Sequence, residues 1–273
     1  MSIGEDSKQV VVAPQNNGLD TLRPKKEVPT TFPGMLNAYK DEIARALPKQ
    51  LNAERLTRIA LTEFRKNPAI GRCNPTSVFA SVIVAAQMGL EPGVLGQGFM
   101  VPYKNDCQFI PGWQGLVDLV NRTGRATVWT EAVFEGDEFN WGKGDRPFIQ
   151  HKPCGENDPK LMTHAYAVGR VNGSEWPIIE CWTADRITKH RNRYNKQGDR
   201  HYSYRNFEMY ARKIVLLQVI KYMPKTPELS MAVSLEHASY QGQNLEAKAV
   251  IEGSWVAPPY DENTGEIFVT DQE

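Results

Sequence analysis

The pair Asn172-Gly173, set between the apolar runs Met162–Val171 and 175–182, constrains this chain most. Asn-Gly supplies the positive φ that a tight reversal needs. Two runs of β-branched and aromatic residues on either side of it must then pair antiparallel. The β-rich character extends over 125–183. A second reversal at Asn105-Asp106 separates 98–103 from 107–110. The chain between 142 and 160, with its Gly, Lys, Asp and Pro residues, reads as a loop.

Helical patterns lie on both sides of this centre. One helix is expected over 34–47, ended by Pro48. A second follows Asn52 as cap, with Leu56, Ile59, Ala60 and Phe64 at helical spacing. A third has Asn74 as cap, Pro75 at its first position and Gly89 as its stop. Its small residues Ala80, Ser81, Ala85 and Ala86 allow close packing. Between hairpin and sheet, 112–122 reads as a helix closed by Gly124. After the sheet, Thr183 caps a helix over 184–194. Further helices are expected over 204–223, before Pro224, and over 227–238. Helices, then strands, then helices indicate an α+β fold: a helical N-terminal part, a small antiparallel sheet with hairpins, and long C-terminal helices. Residues 1–32 form a polar arm, 33–238 the folded domain, and 239–273 an acidic tail.

The formal net charge is zero, but it is unevenly spread. Residues 181–225 carry eleven Lys/Arg and three Asp/Glu, a balance of +8; residues 226–273 carry one Lys and nine Asp/Glu, a balance of −8. Such asymmetry points to a polyanionic partner for the first segment. It also suggests that the acidic segment restrains the basic one or recruits a partner. No apolar run approaches the roughly eighteen residues of a membrane helix, and the polar N-terminus lacks an export signal. The cysteines Cys73, Cys107, Cys154 and Cys181 lie too far apart for a zinc or redox motif, as expected of free thiols in a reducing cytoplasm.

Arg186, Lys189, His190 and Arg193 fall on one helical face and could neutralise successive phosphates. Arg191, Lys196, Arg200 and Arg205 thicken that region, and Arg212, Lys213 and Lys221 follow. Lys213 and Lys221 border an apolar surface, where a lysine either snorkels to solvent or lines a phosphate groove. Tyr103 and Trp113, beside Lys104, Gln108 and Gln114, could stack bases or pack in the core. Glu135, Asp137 and Glu138 are the only carboxylates suggestive of a metal-dependent nuclease, and they lack partners at ligand spacing. The phosphate-binding pattern of ATP-driven motors is absent; Gly142-Lys143 is followed by Gly144-Asp145, without the hydroxyl that holds magnesium. No cofactor, metal or catalytic residue is expected.

Several segments recur in order: Met88-Gly-Leu-Glu-Pro-Gly, Val101-Pro-Tyr, Gln108-Phe-Ile-Pro-Gly-Trp-Gln-Gly through Arg122-Thr-Gly, Glu135-Gly-Asp-Glu-Phe, His164-Ala-Tyr-Ala-Val, Ala211-Arg-Lys and Lys221-Tyr-Met-Pro. Together they resemble the RecT family of phage and prophage single-strand annealing recombinases over about residues 33–237. The resemblance implies binding of single-stranded DNA and annealing to duplex without nucleotide hydrolysis. It also implies homo-oligomeric rings or helical filaments with DNA in a basic groove, and work beside a phage exonuclease and a host single-strand-binding protein. Gln108, Trp113, Gln114, Arg122, Arg212, Lys213 and Lys221 match family positions. Gln114 and Leu217 stand where relatives often carry basic residues, so the stripe from Arg186 to Arg193 is expected to compensate. A nuclease and a structural oligomer are the alternatives.

Overall fold

The computed structural model describes residues 29–48, 51–195 and 198–241. The arm up to residue 28 and the acidic tail after residue 241 lie outside the described residues. Their chain order is α1 (Phe32–Ala38), α2 (Lys40–Ala46), α3 (Ala53–Lys66), α4 (Pro75–Met88), β1 (Gly98–Tyr103), β2 (Asp106–Pro111), α5 (Trp113–Asn121), β3 (Ala126–Phe134), β4 (Glu138–Gly142), β5 (Phe148–Lys152), β6 (Met162–Val171), β7 (Ile178–Thr183), α6 (Ala184–Tyr194), α7 (Phe207–Ile220) and α8 (Pro227–Gln241). The fold is α+β with small antiparallel sheets, ordered β1-β2, β3-β6-β7 and β4-β5.

The centre of the core is α4. Asn74 accepts from the Thr76 N–H at 3.0 Å, Pro75 opens the first turn, and Gly89 closes the helix at φ +65°. Every residue from Ser77 to Ala86 is buried, so this helix has no solvent face and must lie inside. Its two buried serines do not go unpaired. Ser77 Oγ donates to Asn74 O and accepts from the Cys107 N–H, while Ser81 Oγ reaches Ser77 O and Cys107 O. These bonds stitch α4 against β2.

The three-stranded sheet is covered on both faces. On one, α7 crosses β6 so closely that a Cβ on Gly169 would come within 2.7 Å of Val219 Cγ1. Thr130 Oγ1 on the same face lies within bonding distance of Tyr166 O, at 2.8 Å, and of Arg212 O, at 3.2 Å. On the other, Val133, Tyr166, Val168, Ile179 and Cys181 form a smaller core beneath Phe139, Trp141 and Ile149 of the β4–β5 ribbon. Asp137, at the start of that ribbon, anchors it. Its carboxylate accepts from the Phe134 and Cys154 N–H groups, each at 2.8 Å, and lies 2.9 Å from His151 Nε2. Burial would push this carboxyl up, but those three contacts outweigh it and hold the group well below the usual carboxylate range.

Four expectations change. The expected helix 34–47 breaks at Tyr39 into α1 and α2. The expected loop 142–160 contains β5, whose half-exposed alternation gives little apolar signal. The first hairpin turns at Lys104-Asn105, one residue earlier than expected, with Tyr103 facing Asp106 and Lys104 at φ +54°. Asn172-Gly173 does reverse the chain, with the Ser174 N–H donating to Val171 O and Gly173 at φ +85°. It does not close a two-residue hairpin, because Asn172 keeps a negative φ and β7 begins only after Pro177, which has no N–H to give a ladder. Arg170 and Val171 pair instead with Thr127 and Ala126 of β3.

Candidate nucleic-acid interface

Thr183 starts α6 by accepting from the Arg186 N–H at 3.2 Å. The inward side of the helix carries Ile187, which is fully buried, and His190, whose Nδ1 lies 3.0 Å from the Tyr210 hydroxyl. This fixes the outward side. Arg186, Lys189 and Arg193 are exposed. His190 therefore leaves the expected cationic stripe. Burial, with the charges of Arg186, Lys221 and Arg193 adding to it, pulls it down to about 4, so it is neutral at pH 7.

Three arginines of α6 lie over aromatic rings. Arg186 Cζ is 3.8 Å from the Trp182 centroid, Arg191 Cζ is 4.0 Å from Tyr204, and Arg193 Cζ is 5.3 Å from Tyr194. A ring under a guanidinium restrains its direction and occupies its face, not the in-plane N–H fork that grips a phosphate. Lys189 lies 2.7 Å from Asp185, but both side chains are about three-quarters exposed, so a phosphate can replace that carboxylate at little cost. Arg205 is exposed at the end of the turn Tyr202–Tyr204. Tyr204, under Arg191, is itself exposed, as are Tyr202 in the same turn and, past the end of α7, Tyr222 at 65% exposure. The sequence reading missed these rings because they lie in short turns without periodicity; their alternation with arginines was the available signal.

The other candidate residues are placed differently. Tyr103 and Lys104 share the tip of the first hairpin, with Lys104 exposed. Trp113 is half-buried, with Nε1 directed at Met209 Sδ and Arg212 Cζ 4.4 Å from its ring centroid. Gln108 is buried, and Gln114 packs over Gly96. Arg122 closes the end of α4, donating to Met88 O and Gly89 O and pairing with Asp118. Arg212 donates to Thr130 O at 2.7 Å and pairs with Glu208, and is mostly buried. Lys213 stands in the core, 2.5 Å from Glu236 and 2.7 Å from Pro111 O. Lys221 is half-buried near His190 and His237. Thus Arg122, Arg212 and Lys213 have their charge spent on this chain's own groups.

Below α6 lies a group of neutral histidines. Burial first, then neighbouring cations, also brings His201 and His237 down to about 4. Their folded values lie below the ordinary value of 6.5, so their contribution to stability is complete above pH 6.5 and is lost as pH falls towards 4. Each histidine kept neutral steepens the loss by up to about 1.4 kcal/mol per pH unit. Urea midpoints should accordingly drop steeply across this window; a flat profile would contradict the buried placement.

The model of the RecT family matches residues 54–250. Protein RecT of Escherichia coli (strain K12) is 35% identical over 211 residues, covering 73% of this chain and 77% of its own length. The chain belongs to the RecT family. The uncharacterized protein YqaK of Bacillus subtilis (strain 168) is 26% identical over 171 residues, covering 62% of this chain and 58% of its own. The RecT match takes in everything from the start of α3 through α8, including the whole basic face. It also includes the segment Gly112-Trp-Gln-Gly115, whose glycines have a steric reason. A Cβ on Gly112 would meet Gly96 O at 1.9 Å, and one on Gly115 would meet Gln97 O at 2.0 Å. In this RecT-family chain the loop before β1 presses directly on the backbone of α5.

Proposed function

We propose that the protein binds single-stranded DNA on the basic, aromatic face of α6 and anneals complementary strands without nucleotide hydrolysis. Membership of the RecT family supports the activity, and the three ring-stacked arginines of α6 carry its placement. Annealing requires no covalent step, so no catalytic residue is needed. Two polyanions must be brought together, and cations along one strand lower that barrier while releasing counterions. Exposed tyrosines stack bases with little sequence preference. A strand held extended along this face, bases accessible, lets a second strand test registers until pairing captures the right one.

The proposed DNA-binding and oligomerisation domain is 33–238, with α1 and α8 near its limits, between an arm over 1–32 and an acidic tail over 239–273. Its core is similar in kind to annealing folds built on a small antiparallel sheet and a long helix. Assembly into a ring or helical filament would join basic faces into a groove and make binding to long strands multivalent; exposed Leu95, Phe99 and Trp129 are available for subunit contacts. The setting is a bacterial cytoplasm, beside a phage exonuclease and a host single-strand-binding protein. No helix among the described residues is long and apolar enough to cross a membrane.

Within the proposed surface Arg186, Lys189, Arg191, Arg193 and Arg205 make the primary contacts, with Lys104, Tyr103 and Lys221 secondary. Arg122, Arg212 and Lys213 are reassigned to holding the fold. The nuclease alternative loses its central carboxylate, since Asp137 is occupied by two backbone N–H groups and His151. Fluorescence anisotropy of a labelled single strand, without metal or nucleotide, tests the reading. Tight binding that falls steeply with salt is expected; a folded protein that leaves the strand free would overturn it.

A further inference from the structure

We propose that the acidic segment after Gln241 docks on the basic face of α6 and competes there with DNA, an inference that rests on the strand-binding reading above. Residues 242–273 carry seven Asp/Glu and one Lys, and α6 offers them exposed Arg186, Lys189 and Arg193. The exit point of the chain is what makes the match specific. Glu236, five residues before the end of α8, pairs with Lys213 of α7 at 2.5 Å. One turn earlier on α7, the Tyr210 hydroxyl lies 3.0 Å from Nδ1 of His190 on α6. The last part of α8 is thus joined to α6 through α7, and the chain leaves the described fold within a short span of α6. Thirty-two residues reach up to about 100 Å when extended, far more than needed to wrap one helix.

The chemistry of that face suits the segment. A carboxylate presents the same pair of oxygens to a guanidinium fork as a phosphate does. Lys189 already pairs with an exposed carboxylate, Asp185, so the face accepts one in its free state. The segment also carries Trp255, Tyr260, Ile267 and Phe268, which can lie on exposed Tyr202, Tyr204 and Tyr222. Tethering gives the segment a local concentration in the millimolar range. Because the contact is charge-driven and exposed, salt weakens it. Short strands, with few phosphates, must compete against it, whereas a long strand bound by several copies displaces it. Docking would thus bias the protein towards long single-stranded tracts.

The test uses the full chain and a variant in which Glu246, Glu252, Asp261, Glu262, Glu266, Asp271 and Glu273 become their amides. Affinity for a labelled strand of about 20 nucleotides, enough for one or two binding sites, is measured across salt. Zero-length carboxyl–amine cross-links are mapped in parallel, with isotope-labelled chain mixed in to separate links within one copy from links between copies. The neutralised chain should bind about tenfold tighter at low salt, with the gap closing as salt rises. Links from the acidic segment to Lys189 should form within one copy and vanish when the strand is added. Equal affinity at every salt concentration, or links absent or only between copies, would overturn the docking and leave strand binding untouched. Links within one copy in a protein that binds no DNA would instead sustain the docking and remove the strand-binding reading.

Discussion

Changing Arg186, Arg191 and Arg193 together to alanine is expected to lower affinity for single-stranded DNA on the order of 100-fold at low salt, since each removes a charge-assisted bond to a phosphate. The salt dependence should change with it. Each phosphate of a single strand that the protein no longer neutralises reduces the slope of log K against log salt by about 0.7, so three reduce it by about 2. The corresponding lysine variant separates charge from geometry. It keeps the slope but loses the planar fork that the rings of Trp182, Tyr204 and Tyr194 support, and should fall between the two. Circular dichroism should show both variants folded, because Arg186 and Arg193 are exposed and Arg191 is only half-buried. An unchanged slope in the alanine variant would move the strand to another face, with Lys104 and Lys221 the next residues to replace.

Lys213→Met should be the most damaging single change to stability, costing about 3–5 kcal/mol, because it leaves Glu236 charged and buried with its cation gone. Glu236→Leu should cost a similar amount for the converse reason. The double variant should recover most of the loss, since an apolar pair of similar volume replaces a buried ion pair at little net cost. It should also bind DNA almost as tightly as the parent, apart from the effect of removing the bond to Pro111 O. Chemical denaturation of the three variants checks the coupling. A stable Lys213→Met protein that no longer binds DNA would contradict the structural role given to this lysine and return it to the groove.

How much could be read from the residues alone depended on the range of the interaction. Asn74, Pro75 and Gly89 bound α4 correctly, because cap and stop chemistry acts within one helical turn. Thr183 did the same for α6. β5 falls inside the expected loop 142–160 because it is short and half-exposed, and it becomes a strand only by pairing with β4 over Tyr166 and Val168. Charge was the least local quantity. Lys213 was grouped with the groove cations because its partner lies 23 residues away on another helix, and Arg122 because the carbonyls it caps lie more than 30 residues back. His190 has the right helical spacing for the outer stripe, yet stands at its border and turns to Tyr210. The basic density of 181–225 was legible; which of its members face solvent required the packing of α6 on α7 and β7.

The most direct measurement is the rate at which two complementary labelled single strands pair, followed by energy transfer without nucleotide or metal, with the parent protein and the alanine variant of Arg186, Arg191 and Arg193. Pairing should be much faster than in protein-free solution, slow as salt rises, and fall near the protein-free rate with the variant. Pairing no faster with the folded parent protein than without it, or acceleration fully retained by the variant, would contradict annealing on this face.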